Sequence, residues 1–339
     1  MTKTEPVWKD LETDALNIQG TGVLKRMLSP NSLCTMFLGV KRPSMNRVFM
    51  LQAPRNLLPS RSDIPESRGF ELTFELTGEE APTHITFVLS STDKVYNEIF
   101  TSMIDNLTQS LENCANEFQV VRNFLQRLTA WQMFFQKNAV TGLSEEAQHG
   151  LYGELYFVKN HLLSTSSDYS RDISGWTGSR NRQHDFQFGE TVVEVKTCSS
   201  NHHQKIRVSN EQQLDESLVE NLFVFYVSLA AVENHKDTLP ACVSSIREIL
   251  QLNFKAISDF EQALIDRGYL DSQSWRYKKT GYVIRETMAF KVEKEFPRLT
   301  ERDLPQGVGD LAYSINVAEC KNFEVSLDDV MREIRKALP

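Results

Sequence analysis

Paired cysteines are missing from this chain. Its five cysteines stand singly along 339 residues, and no two of them form a CxxC pair. A disulfide framework or a structural zinc site is therefore not expected, and a reducing compartment fits best. The first residues, MTKTEPVWKD, lack the apolar segment of a signal peptide, and no run of about 18 uncharged apolar residues occurs. We expect a cytoplasmic protein without a membrane partner.

An excess of basic charge is also missing. The formal net charge is −8, whereas proteins that bind nucleic acid over their whole surface are usually basic. The charge does not exclude an enzyme with a local positive channel, because the site decides the chemistry. The motifs GxGxxG and GxSxG and a Walker loop are likewise absent.

The pattern of the chain indicates two domains. Segments rich in β-branched and aromatic residues near 47–52, 70–76 and 84–90 precede an amphipathic helical tract over 92–137. We predict an N-terminal β-strand and helical domain over 1–138. A second domain would cover 139–339.

Short elements of both kinds alternate in the second domain. The predicted order is helix, three strands, helix, strand, with the second helix opened by Ser209 and Gln212 as a capping box. Further helices and strands follow, and Ser326 opens a final helix. The predicted elements lie at 151–163, 184–188, 191–197, 204–208, 209 onward, 222–229, 243–268, 282–292 and 311–317.

The segment HDFQFGETVVEVK predicts a tight hairpin. Gly189 and Glu190 can form a two-residue turn of type II′. That turn predicts that Asp185 lies opposite Glu194. Alternation then divides the hairpin into an apolar face and a polar face. The apolar face would contain Phe186, Phe188, Val193 and Val195, and the polar face Asp185, Glu194 and Lys196.

Two facing carboxylates destabilise a hairpin unless a cation lies between them. A hard divalent cation is the simplest such cation, because it takes carboxylate oxygens together with water. Lys196 adds a positive charge, and Glu154 flanks the stripe of the preceding helix, from which it could reach the same place. Three acids and a lysine suit phosphodiester hydrolysis assisted by a metal.

This arrangement resembles the PD-(D/E)XK nucleases. Asp185, Glu194 and Lys196 follow the order D…ExK, and His184 stands where that motif often has proline. Residues 150–230 carry the resemblance. The flanking segments GELYF, EVKT and SNEQQL, and the stretch 296–320, are similar to bacterial PD-(D/E)XK motif proteins found beside restriction-modification and phage-defence genes.

The resemblance implies an α/β (α+β) protein with a restriction-endonuclease-like αβββαβ core behind the N-terminal domain. It implies a DNA endonuclease that depends on Mg²⁺ or Mn²⁺. Asp185 and Glu194 would be metal ligands, Lys196 the catalytic lysine, Glu154 the acid of the first helix, and Gln213 a catalytic glutamine. It also implies a role in restriction or anti-phage defence, with partner proteins. A homodimer is expected because double-strand cleavage usually needs two active sites.

Several alternatives stay open at this stage. The hairpin acids could be ordinary surface residues, or the domain could bind nucleic acid or assemble with partners without cutting. An RNA or structure-specific nuclease is a third hypothesis. Cys198, His202 and His203 lack the second pair that a zinc site needs, and Trp176 could stack on a base or anchor the packing. Basic residues that could contact phosphates, or lie in a solvated loop, are Arg171, Arg180, Arg182, Lys205 and Arg207.

Overall fold

A computed structural model describes residues 4–29, 32–60, 64–77, 83–112, 114–137, 141–176, 184–200 and 204–337. The chain divides into two compact units. Unit 1 comprises Met1–Gly142 with Leu270–Gln273, and unit 2 comprises Leu143–Tyr269 with Ser274–Pro339. Within the described ranges, no helix has the length and apolar character needed to cross a membrane.

Unit 1 contains one five-stranded antiparallel sheet with the strand order β1-β2-β3-β5-β4. The strands predicted near 47–52, 70–76 and 84–90 and the predicted helical tract are confirmed, whereas α1, β1 and β2 were not predicted. The elements are α1 (Glu5–Leu16), β1 (Gly22–Ser29), β2 (Thr35–Arg42), β3 (Asn46–Pro54), β4 (Phe70–Thr77), β5 (His84–Ser91), α2 (Asn97–Leu111) and α3 (Glu117–Lys137).

Aromatic side chains join the sheet of unit 1 to α3. Phe124 contacts Phe49 of β3 and Phe87 of β5, with ring centroids 6.2 and 5.6 Å apart. The helix α1 lies on β2, where the indole of Trp8 donates a hydrogen bond of 3.2 Å to the carbonyl of Gly39. Burial of these large rings gives the unit its own core.

Unit 2 contains a mixed five-stranded sheet with the order β12-β10-β9-β7-β6. The strands β7 and β9 run parallel, and the other neighbours run antiparallel. A separate two-stranded sheet joins β8 to β11. The elements are α4 (Glu145–Phe157), α5 (Tyr169–Ser174), β6 (Phe186–Phe188), β7 (Thr191–Cys198), β8 (Lys205–Val208), β9 (Asn221–Glu233), α6 (Leu239–Leu250), α7 (Phe254–Asp266), β10 (Thr280–Lys291), β11 (Tyr313–Asn316), β12 (Glu324–Val325) and α8 (Leu327–Lys336).

The mixed α/β class is confirmed, but the predicted helix beginning at Ser209 is wrong. The chain forms turns over 211–214 and a short 3₁₀ helix at Glu216–Leu218 before β9 begins. The side chain of Asn210 accepts hydrogen bonds from the backbone N–H groups of Gln212 and Gln213. Such a local turn competes with helix formation. The order of elements between β8 and β9 therefore departs from αβββαβ.

Both faces of β7 are buried. Val193 and Val195 belong to a core shared with α4, α6 and α7, as does Phe186 of β6. Val192 belongs to a second core with Ile206 of β8 and with residues of β9, β10 and β11. A strand enclosed on both sides can hold charged side chains only where they find partners.

The close approach of α4 to β7 depends on Gly153. A Cβ added there would lie 2.3 Å from Cγ2 of Thr197, whereas one added to Gly150 on the same helix would meet no heavy atom of the described residues within 4 Å. We expect Gly153→Ala to lower the free energy of unfolding by about 1–3 kcal/mol through overpacking. We expect Gly150→Ala to raise it by about 0.5–1 kcal/mol through helix propensity. Urea unfolding of both variants tests this, and equal effects would contradict the packing described here.

Candidate active site

The hairpin β6–β7 has the predicted register. Phe186 pairs with Val193, Gln187 with Val192 and Phe188 with Thr191. Gly189 has a φ of +56°, and Glu190 is not among the residues with positive φ. A positive φ at the first central residue alone is typical of a type II′ turn. The predicted apolar face is also confirmed, since Phe186, Phe188, Val193 and Val195 are all buried in one core.

Asp185 lies just outside the ladder, which ends one pair short of the predicted pairing of Asp185 with Glu194. The strand β6 begins at Phe186. The carboxylate of Asp185 accepts a hydrogen bond of 2.8 Å from the backbone N–H of Val195. The backbone N–H of Val195, at the end of the ladder, therefore donates to a side chain. This hydrogen bond directs the carboxylate towards β7, next to Glu194.

A hydrogen-bonded row of side chains links β7 to the turn that follows β8. Nζ of Lys196 lies 2.8 Å from Oε1 of Glu194 and donates a hydrogen bond of 3.0 Å to Oε1 of Gln213. The same Gln213 oxygen also accepts from the backbone N–H of Ser209, at 2.9 Å. The structure thus brings Gln213 to the hairpin acids, although it lies in a turn and not on the implied helix.

The second oxygen of Glu194 is buried and has no hydrogen-bond partner among the described residues. Nδ1 of His184 lies 3.8 Å from it, which is too long for a hydrogen bond. Burial alone would raise the pKa of Glu194, but the charge of Lys196 and the neighbouring His184 outweigh it and lower that pKa. Glu194 is therefore an anion with one oxygen still available for a ligand.

The pKa values of Asp185 and Lys196 are both raised. Part of Asp185 is accessible to solvent, yet burial of its carboxyl and the negative charges of Glu194 and Glu154 raise its pKa well above the usual value. Burial would lower the pKa of Lys196, but the charges of Glu194 and Asp185 outweigh it and raise that pKa. The site thus holds a charged ammonium next to a carboxyl group whose ionisation is unfavourable.

Glu154 of α4 is held by two side chains from elsewhere in unit 2. Oε2 of Glu154 accepts a hydrogen bond of 2.7 Å from the indole N–H of Trp176 and another from Nε of Arg267. The guanidinium carbon of Arg267 lies 4.2 Å from the centroid of the Trp176 ring. Trp176 is buried, stacks on Phe260 and so anchors the packing.

The donors fit a divalent cation bound by two carboxylates. In the described part of the chain, no three His, Cys, Asp or Glu side chains converge closely enough to hold a metal ion by themselves. Mg²⁺ needs fewer, because it commonly takes one or two carboxylates and keeps several waters. A cation between these groups would give the unpartnered oxygen of Glu194 a ligand. It would also lower the raised pKa of Asp185.

Three of the five predicted phosphate contacts lie among the described residues, and the other two lie outside them. Lys205 and Arg207 are exposed on β8, and Arg207 forms an exposed ion pair with Glu146. Arg171 is half-buried in the last turn of α5. Arg180, Arg182, His202 and His203 lie outside the described residues, and Cys198 is buried.

Arg267 was missed by the sequence analysis. It lies directly after α7, where Gly268 follows with a φ of +83°, so the local pattern indicates only a helix end. Its partner Glu154 is 113 residues away in sequence. No local pattern could have joined the two, whereas the hairpin residues lie close together in sequence.

The comparison with protein families gives one match over most of the chain. The family model described as "Putative PD-(D/E)XK family member, (DUF4420)" matches residues 4–318. No curated protein and no solved structure matches the chain. The family's name agrees with the D…ExK residues that the hairpin places around Glu194. The chain therefore belongs to the DUF4420 family, within the PD-(D/E)XK superfamily.

Proposed function

We propose that this protein is a metal-dependent endonuclease that hydrolyses DNA phosphodiester bonds. The observation that carries the proposal is the meeting of Asp185, Glu194 and Lys196 at the end of one buried hairpin, with Glu194 keeping one oxygen without a protein partner. A buried group of like charges is unfavourable for folding. Such a group is a candidate functional site because its pKa values are displaced.

Asp185 and Glu194 are the proposed ligands of Mg²⁺ or Mn²⁺. When bound, the ion would polarise the phosphate and lower the pKa of a coordinated water. The backbone N–H of Val195 fixes the carboxylate of Asp185, and Lys196 fixes one oxygen of Glu194. These two contacts restrain both carboxylates, and Oε2 of Glu194 keeps no protein partner among the described residues.

Lys196 is the proposed catalytic cation. Its ammonium is held between Glu194 and Gln213, and its raised pKa keeps it charged at neutral pH. A charged ammonium can stabilise negative charge that develops on a phosphate, but it cannot remove a proton from water. Gln213 then acts as a positioning residue for Lys196.

A plasmid-nicking assay tests the proposal. Wild-type protein should convert supercoiled plasmid to nicked or linear DNA in Mg²⁺ or Mn²⁺ and not in EDTA. Asp185→Ala and Lys196→Ala should each remove this activity. Cleavage that survives both substitutions would come from another site or a contaminant and would contradict the proposal. Parallel single-stranded, branched and RNA substrates would identify a nuclease of another specificity.

A non-cleaving nucleic-acid-binding or assembly module is the second candidate. It is favoured by the net charge of −8 and by the lack of a three-residue metal cluster in the described ranges. Such a module would bind duplex DNA, or a protein partner, without nicking plasmid under any metal condition.

We also propose a bacterial restriction or anti-phage role with partner proteins, and a homodimer for double-strand cleavage. The defence role is supported by the similarity of the stretch 296–320 to proteins found beside such genes. The dimer is supported by the need for two active sites. Light scattering with and without DNA measures the oligomeric state.

A further inference from the structure

The side chain of Arg267 is fixed on two sides. It is only 8% exposed, its Nε donates to Oε2 of Glu154, and its guanidinium lies over the ring of Trp176. The ion pair restrains one edge of the guanidinium, and the cation–π contact restrains its face. The group is therefore preorganised and has little freedom to find other partners.

The two terminal nitrogens of Arg267 are unsatisfied hydrogen-bond donors within the described part of the chain. Nη1 and Nη2 are buried and have no hydrogen-bond partner among the described residues. Leaving a buried donor unmet costs about 1–3 kcal/mol, and more for a charged group. The positive charge of Arg267 opposes the rise in the pKa of Asp185. Its guanidinium therefore belongs to the same electrostatic environment as the hairpin acids.

A bidentate ion pair would be arranged differently. Arginine and carboxylate commonly form two parallel hydrogen bonds, which satisfy both partners. Here one oxygen of Glu154 accepts hydrogen bonds from both Nε of Arg267 and the indole N–H of Trp176. Nη1 and Nη2 of Arg267 have no hydrogen-bond partner among the described residues. The planar fork of these nitrogens matches the oxygens of a phosphate group.

We propose that Arg267 binds a backbone phosphate of the nucleic-acid strand through Nη1 and Nη2, and that Glu154 and Trp176 are positioning residues which hold it for this contact. This inference rests on the proposed function and deepens it. It gives Glu154 a role that does not require it to touch a metal. It also supplies a local cation for a polyanionic substrate in a protein of net charge −8.

Binding of a short fluorescein-labelled DNA duplex tests the inference separately from cleavage. Fluorescence anisotropy is measured over a NaCl series in EDTA, and is repeated in Mg²⁺ on a Lys196→Met background. Arg267→Gln should weaken binding by about tenfold or more. It should also reduce the slope of log affinity against log salt by about 1, because one phosphate contact is lost. Arg332→Gln removes the same charge from an exposed position on α8 and should change neither quantity.

Further variants separate the phosphate contact from folding. Arg267→Gln leaves Glu154 without its cation, so the double variant Glu154→Gln/Arg267→Gln removes both charges and should show the same loss of affinity. Arg267→Lys keeps the charge but loses the fork, and should recover only part of the affinity. Thermal unfolding confirms that each variant is folded.

The outcomes are distinct for the two proposals. If both Arg267→Gln and the double variant keep the affinity and salt slope of Arg332→Gln, the inference is overturned. Absence of duplex binding by wild-type protein in both conditions also overturns it. Binding that depends on Arg267, without nicking of plasmid by the wild type, overturns the proposed catalysis and leaves the phosphate contact standing.

Discussion

Replacing Lys196 with methionine should lower Mg²⁺-dependent plasmid nicking by on the order of 100-fold or more. Methionine keeps an unbranched apolar stem and removes the ammonium that lies 2.8 Å from Glu194. The loss should persist as the pH is raised, because the neighbouring carboxylates raise the pKa of Lys196 and its role is that of a cation. Initial rates of nicking over a pH series measure this directly.

Two further variants control the Lys196 experiment. Lys279→Met removes an exposed lysine that pairs with Glu233 in the same unit, and its nicking rate should equal that of the wild type. Lys196→Arg preserves a positive charge beside Glu194, so it tests whether loss of folding explains the effect. Wild-type rates in Lys196→Met would contradict the assigned role. So would a loss of the same size in Lys279→Met.

Replacing Asp185 with asparagine should stabilise the metal-free protein and abolish its stabilisation by Mn²⁺. The folded-state pKa of Asp185 is raised, chiefly by burial and by Glu194. A carboxyl with a raised pKa contributes stability below its unfolded-state pKa, and that contribution is lost as the pH rises through the folded-state pKa. At neutral pH the asparagine variant avoids this loss, while its amide oxygen can still accept from Val195 N–H.

The sizes of these stability changes follow from the linkage of folding to proton binding and to metal binding. Each pKa unit of displacement corresponds to about 1.4 kcal/mol, and each kcal/mol to about 2–4 °C in Tm for a unit of this size. Mn²⁺ at 100 times its Kd would stabilise the wild type by about 2.7 kcal/mol. The difference between metal-free Asp185→Asn and wild type should disappear below a pH of about 4, where the unfolded carboxyl is also protonated.

Calorimetry with and without Mn²⁺ measures both halves of this prediction. Glu190→Gln is the matched control, because Glu190 is exposed in the turn of the same hairpin. It should keep the wild-type response to Mn²⁺ and the wild-type Tm. An asparagine variant that is still stabilised by Mn²⁺ would exclude Asp185 as a ligand. One that is less stable than wild type without metal at neutral pH would contradict the electrostatic account.

Local patterns were enough to predict the hairpin and its faces. The turn at Gly189 and strict alternation over the flanking residues determine which side chains enter the core, and the pairing of Phe186 with Val193 follows. Asp185, Glu194 and Lys196 lie within 12 residues of each other in the printed sequence. Proximity in sequence made their meeting predictable.

Interactions between distant segments could not be predicted in this way. Trp176 and Arg267 reach Glu154 across 22 and 113 residues, and nothing in the pattern near Arg267 indicates more than a helix end. The prediction of a helix after β8 was wrong for a different reason. The turn built by the Asn210 side chain competes with the capping box read at Ser209 and Gln212, and burial of Leu214 then favours the irregular path.

Anomalous scattering from a crystal soaked in Mn²⁺ tests the central claim most directly. The claim is that one divalent ion joins Asp185 to the free oxygen of Glu194, with the Lys196 ammonium beside it. The expected result is a single peak about 2.0–2.2 Å from an oxygen of each carboxylate, with water completing the shell. The contradicting result is a crystal whose Mn²⁺ peaks all lie away from these two side chains.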